Sequence, residues 1–128
     1  MMRVRYDPDN EVLVDGARGD YAILAGCVGR ALASGVDIEV PVLSIGRIEV
    51  SHLVVRKGPP PNRISFDQGR VICSVAPNLE KQFSSFLEFP PDEELPRPVR
   101  FHHHFDGLGD DGTRIAMDSL PVVFALEY

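Results

Sequence analysis

The sequence predicts an α+β domain: a mainly antiparallel sheet with two helices packed on one face, built from a hairpin–helix–strand pattern that restarts halfway. Three observations carry this. Short apolar alternations bracket turn clusters, two longer stretches repeat apolar residues at helical spacing, and neither helix could bury its stripe without a sheet to cover. With 128 residues, 44% hydrophobic and 25% charged, the chain is long enough for one core, and a single domain over residues 1–128 is expected.

In chain order, Val4, Arg5 and Tyr6 alternate up to the turn cluster Asp7-Pro8-Asp9-Asn10, and Glu11 to Val14 runs on, which reads as a hairpin. A helix follows, capped by Asp20 and running through Ser34, with Tyr21, Leu24, Val28, Ala31 and Leu32 on one face and Gly35 as its stop. Gly26 and Gly29 weaken that helix and are expected to allow close packing on the sheet. Val36, Ile38, Val40 and Val42 alternate with polar residues, and Pro41 places that strand at an edge or ends it. A stronger strand spans residues 48–56, and Gly58 with three prolines breaks the chain.

The second half follows the same plan. Ile64 to Asp67, a turn at Gln68-Gly69, and Arg70 to Cys73 form a hairpin. Pro77-Asn78 opens a helix with Leu79, Phe83, Phe86 and Leu87 on its apolar face. After an acidic, proline-rich linker at residues 92–98 comes a histidine-rich strand, and residues 121–128 close the chain with a nearly continuous apolar run, as expected of a central strand.

The histidine-rich strand, residues 99–106, gathers three of the four histidines. Period-two geometry places Val99, Phe101, His103 and Phe105 on one side and Arg100, His102, His104 and Asp106 on the other. An apolar face thus backs a row of ionisable groups suited to a partner. His102 and His104 are also candidate metal ligands, with Asp106 as a third. Arg100 opposes a second cation beside it and favours an anion or a carboxylate-bearing partner. His52, on the corresponding strand of the first half, is a candidate member of the same surface.

Other chemistry is thinly represented. The loop from Asp106 to Thr113 lacks the ligand spacing of an EF-hand and any phosphate-binding lysine, so it reads as a turn. Ser119 has no nucleophile elbow around it. Asp92, Glu93 and Glu94 sit in the proline-rich linker rather than on a rigid element. No catalytic set emerges and no cofactor is expected. Cys27 and Cys73 lie in apolar contexts without CxxC spacing and read as buried, reduced thiols. There is no apolar run of membrane-spanning length and no apolar signal core, so the expected setting is cytoplasmic, with no membrane partner. A formal net charge of −6 argues against nucleic acid, whose phosphates need a basic stripe, and suits a basic protein partner.

The opening hairpin, the histidine strand and the closing Met117-Asp118-Ser119-Leu120-Pro121-Val122-Val123 together resemble a predicted family of small bacterial immunity proteins. These are encoded beside polymorphic toxins and thought to bind and neutralise them. The resemblance covers the N-terminal hairpin and the C-terminal third, and carries the family's histidines onto His102 and His104. The additional His103 and the acidic glycine loop depart from it. It implies a non-enzymatic, protein-binding domain that neutralises a toxin by direct contact. Two alternatives stand beside it: a small metal-binding domain or metal-dependent enzyme using the histidine strand, and a homo-oligomeric scaffold joined through strand edges.

Overall fold

In the computed structural model, residues 1–91, 101–107 and 112–127 are described. The first half comprises β1 (Arg3–Tyr6), β2 (Val12–Gly16), α1 (Arg18–Ser34), β3 (Ile38–Pro41), β4 (Leu43–Ser44) and β5 (His52–Lys57). The second comprises β6 (Arg63–Asp67), β7 (Arg70–Val75), a 3₁₀ turn (Pro77–Leu79), α2 (Glu80–Ser85), β8 (His102–Phe105) and β9 (Val122–Leu126).

The α+β class holds, but the strands divide between two sheets instead of forming one. Their orders are β4-β1-β2-β9-β8, here sheet A, and β3-β5-β7-β6, here sheet B. Antiparallel pairings join β1 to β2, β3 to β5, β6 to β7 and β8 to β9, while β2–β9, β5–β7 and β1–β4 run parallel. The division has a simple cause. Each half contributes its opening hairpin to one sheet and its returning strand pair to the other, so β1-β2-β9-β8 repeats the pairing pattern of β6-β7-β5-β3.

Registers make the two halves equivalent residue by residue. Val4 corresponds to Ile64, Val14 to Cys73 and Phe124 to Val55, and all six are buried. Tyr6 corresponds to Phe66, and these two rings meet with centroids 4.3 Å apart. Equivalent residues of the two halves thus touch each other at this point. Each half is also stitched internally, the first by an antiparallel bridge from Tyr6 to Ile48 and the second by a parallel one from Asn62 to Ile115.

One cluster of buried residues draws on α1, α2 and the inner faces of both sheets. From α1 come Tyr21, Leu24, Cys27, Val28 and Ala31, the face that the helical spacing predicts, with Leu32 partly buried beside them. The Tyr21 hydroxyl reaches the carbonyls of Ala125 (2.7 Å) and Val14 (3.1 Å), joining the helix to β9 and β2. Asp20 is not the cap itself. Ala17 is, and Asp20 sits one turn in, where its carboxylate accepts the Ala17 N–H at 3.0 Å. The reach from the third helical position is the acidic half of a capping box. Gly35 ends the helix in the left-handed conformation (φ 71°), where a glycine avoids the Cβ penalty, and its N–H bonds Ala31 O at 2.8 Å. Gly26 and Gly29 do not serve close packing. A Cβ at Gly29 would meet nothing within 4 Å, and one at Gly26 only the Arg30 guanidinium at 3.6 Å.

β3 is an edge strand ending at Pro41, and the chain continues directly into β4 on the other sheet. β9 is central in sheet A and buried throughout, as its apolar run implies. Among the described residues no helix is long and apolar enough to cross a membrane.

Cys27 and Cys73 are both buried and free. Burial pushes the Cys73 thiol up to about 12, which leaves almost no thiolate at neutral pH, and the thiolate is the reactive form. Iodoacetamide at pH 7.5 should therefore leave Cys73 unlabelled in the folded protein and modify it promptly in urea. Mass spectrometry finding equal rates in the two states would contradict the buried placement.

Candidate functional site

β8 forms one end of sheet A, and its four residues divide as period-two geometry requires. His102 and His104 are exposed, His103 is half-buried and Phe105 is fully buried. The strand is shorter than residues 99–106, and Arg100 lies outside the described residues.

The inward side chains fix the strand. Phe105 meets Phe83 and Phe86 edge-to-face, with centroids 5.6 and 5.1 Å away. His103 lies against Phe89 at 5.0 Å and Phe101 at 5.2 Å. Its Nε2 is 2.6 Å from the Glu88 carbonyl oxygen. A carbonyl can only accept, so Nε2 carries the proton and donates. Two of the aromatic partners, Phe86 and Phe89, come from the end of α2 and the segment after it. The apolar stripe of the second helix thus positions the histidine strand.

The outward side chains are thereby presented from a rigid base. The His102 and His104 rings lie 4.8 Å apart, edge to face. Asp106 follows the strand, half-buried and engaged in a contact of its own. Among the described residues no three His, Cys, Asp or Glu side chains gather closely enough to hold a metal ion, and these three do not form such a group. His52 begins β5 in sheet B, with Nδ1 2.9 Å from Ser51 Oγ. It belongs to a different sheet from the other histidines because the two halves exchange strand pairs.

Registered neighbours share a face, and this extends the row beyond β8. His102 lines up with Ala125, Asp15, Arg3 and Leu43, and His104 with Val123, Leu13 and Arg5. Asp15 is 4% exposed and accepts from Arg3 Nη2 at 2.7 Å, with Glu127 3.9 Å from the same nitrogen. The outer face of sheet A therefore carries two imidazoles on one edge strand and two arginines on β1. Between them, across three strand spacings or roughly 14 Å, lie the half-buried Leu13 and the buried Val123 and Ala125. Arg3, Arg5 and Asp15 are not evident as site residues from the sequence. The signal was present in the alternation of β1 and β2, but the β2–β9 pairing that brings them beside the histidines is a long-range event.

The equivalent edge in the other half is differently equipped. Through the registers, His102 and His104 occupy the positions of Asp37, just before β3, and Glu39 on it. Those carboxylates are paired within their own sheet. Arg56 Nη2 lies 2.9 Å from Asp37 and Arg70 Nη1 3.3 Å from Glu39. The hydrogen bond from Arg56 holds the Asp37 carboxyl below its ordinary value despite some desolvation. One edge is closed by ion pairs, whereas the other turns two adjacent imidazoles to solvent.

Comparison with protein-family models, curated proteins and solved structures gave no match for this chain.

Proposed function

We propose that this chain is a non-enzymatic protein-binding domain whose contact face is the outer face of sheet A, centred on His102 and His104. The observation that carries this reading is the contrast within β8. The inward residues are locked among aromatic rings, so the outward imidazoles are displayed without the ordering cost that flexible side chains incur on binding. The exposed Arg5 on the same face adds a donor for carboxylates, and the half-buried Leu13 adds apolar contact.

The net charge of −6 steers a basic partner at long range, while histidine and arginine make the local contacts. The resemblance of the hairpin and C-terminal third to immunity proteins makes a bacterial toxin the proposed partner, with direct binding as the means of neutralisation.

The test starts from the product of the gene beside this one, titrated against the wild-type chain and a His102→Ala/His104→Ala double variant by calorimetry. Nanomolar binding is expected for the wild type. The double variant should bind roughly tenfold to a hundredfold more weakly, as for two contact residues worth about 1 kcal/mol or more each. Undiminished affinity in the double variant would place the contact on another face.

A further inference from the structure

A concavity of about 730 Å³ lies at the end of sheet A beside the β1–β2 turn. Local stitching builds both of its walls. On one side, Ile45 N–H bonds Val4 O at 3.0 Å and Ile48 bridges to Tyr6, so both ends of residues 45–48 are fastened to β1 and the middle arches outward. Ser44 Oγ accepts the Val50 N–H at 3.1 Å and closes the base of that arch. Gly46 rests on the stem of Arg5, where a Cβ would come within 2.7 Å of Arg5 Cγ. On the other side, the turn at residues 7–10 is fixed by Asn10 N–H to Asp7 O (3.0 Å) and Asp9 N–H to Asp7 Oδ1 (3.1 Å).

The pocket's chemistry is specific. Arg5 and Arg47 both line it, and neither guanidinium has an ion-pair or hydrogen-bond partner among the described residues. Arg3, Arg18, Arg30, Arg56, Arg63 and Arg70, by contrast, each engage a carboxylate, a carbonyl or a thiol. Tyr6, backed by the ring of Phe66, and Ile48 offer an apolar floor. Asp7 and Asp9 on the turn balance the two positive charges, which disfavours a polyanion and leaves local recognition of a single anionic group.

We infer that this pocket binds a small organic anion, its carboxylate or phosphate held by Arg5 and Arg47 and its planar apolar body resting on Tyr6 and Ile48. Guanidinium groups match both oxyanions in two-point geometry, and the volume falls within the range of small-molecule sites. The site shares Arg5 with the proposed protein-binding face but is otherwise separate from it, using the β1–β2 turn and the 45–48 arch rather than β8.

The experiment is an amide-shift titration of the full chain with benzoate, phenyl phosphate and uncharged benzamide. Saturable shifts confined to the amides of Arg5, Tyr6, Asp7, Gly46, Arg47 and Ile48 are expected with the two anions, with Kd on the order of 1 mM for such small probes. Benzamide should give no comparable shifts. The stronger of the two anions identifies carboxylate or phosphate as the natural group. Arg5→Gln and Arg47→Gln, both at exposed positions, should each weaken binding about tenfold, and His102→Ala/His104→Ala should leave it unchanged. Absence of saturation with both anions, equal shifts with benzamide, or indifference to both arginine variants would each overturn the inference.

Discussion

Asn62→Leu should cost about 3 kcal/mol of stability, lowering the melting temperature by on the order of 10 °C. Asn62 has no exposed surface and ties three segments together. Its Oδ1 accepts the Ala76 N–H at 2.8 Å, and its Nδ2 donates to Leu79 O at 3.2 Å and Gln82 Oε1 at 3.0 Å. Its backbone pairs with the segment before β9, through Arg114 O at 2.9 Å and the Ala116 N–H at 2.8 Å. Leucine fills a similar volume but leaves the Ala76 N–H orphaned in the interior, and a buried donor without a partner costs about 1–3 kcal/mol. The entrance to the 3₁₀ turn and α2 loses its anchor as well. Asn62→Asp is the discriminating companion. It keeps the acceptor for Ala76 but faces Leu79 O without a donor when ionised, so its deficit should grow as pH rises from 4 to 7. Urea titrations at the two pH values measure both effects. A loss below about 0.5 kcal/mol for Asn62→Leu, the level of an ordinary surface substitution, would show that this hub does not hold the segments of the second half together.

Local rules recovered most elements, and particular residues show where those rules stop. Gln68-Gly69 signalled its turn because both residues take positive φ, 50° and 78°, as a two-residue hairpin requires. Phe83, Phe86 and Leu87 signalled an inward helical face by spacing alone. The alternation in β8 was legible from Phe101 to Phe105 and correctly separated His102 and His104 from Phe105. A single sheet was expected because nothing local distinguishes it from two. Which sheet a strand joins is decided by pairings such as Val14 with Phe124 and Cys73 with Val55, which lie far apart along the chain or depend on a crossover. Arg3, Asp15 and the Arg5–Arg47 pocket were missed for the same reason. Each becomes a neighbour of something only after β9 has inserted beside β2, or after the 45–48 arch has closed on β1. Asp20 failed for a smaller reason: a carboxylate at the third helical position and one at the cap itself leave nearly the same signature in sequence.

Phe83→Ala should be the most damaging truncation at the helix–sheet junction, at about 3–5 kcal/mol. The ring is fully buried and meets Phe105 at 5.6 Å and Phe124 at 6.5 Å, both edge-to-face. Removing it takes away the transfer energy of a large apolar side chain and leaves a cavity lined by rings that cannot all move in to fill it. The aromatic pairing adds about 0.5–1.5 kcal/mol per contact beyond area. The consequence for the site is distinct from the loss of global stability. Phe105 is the inward anchor of β8, so a void beneath it frees the strand that displays His102 and His104. Amide exchange should therefore accelerate at His103 and Phe105, whose backbone groups face β9, by more than the global destabilisation accounts for. Phe83→Leu, which keeps most of the volume, should retain both stability and exchange protection in larger part. Ile23→Ala on α1, where the wild-type side chain is 60% exposed, should stay within about 0.5 kcal/mol of wild type. If Phe83→Ala proved as mild as Ile23→Ala, or if exchange at β8 rose no faster than in the rest of sheet A, the aromatic staircase would not be what holds the histidine strand in place.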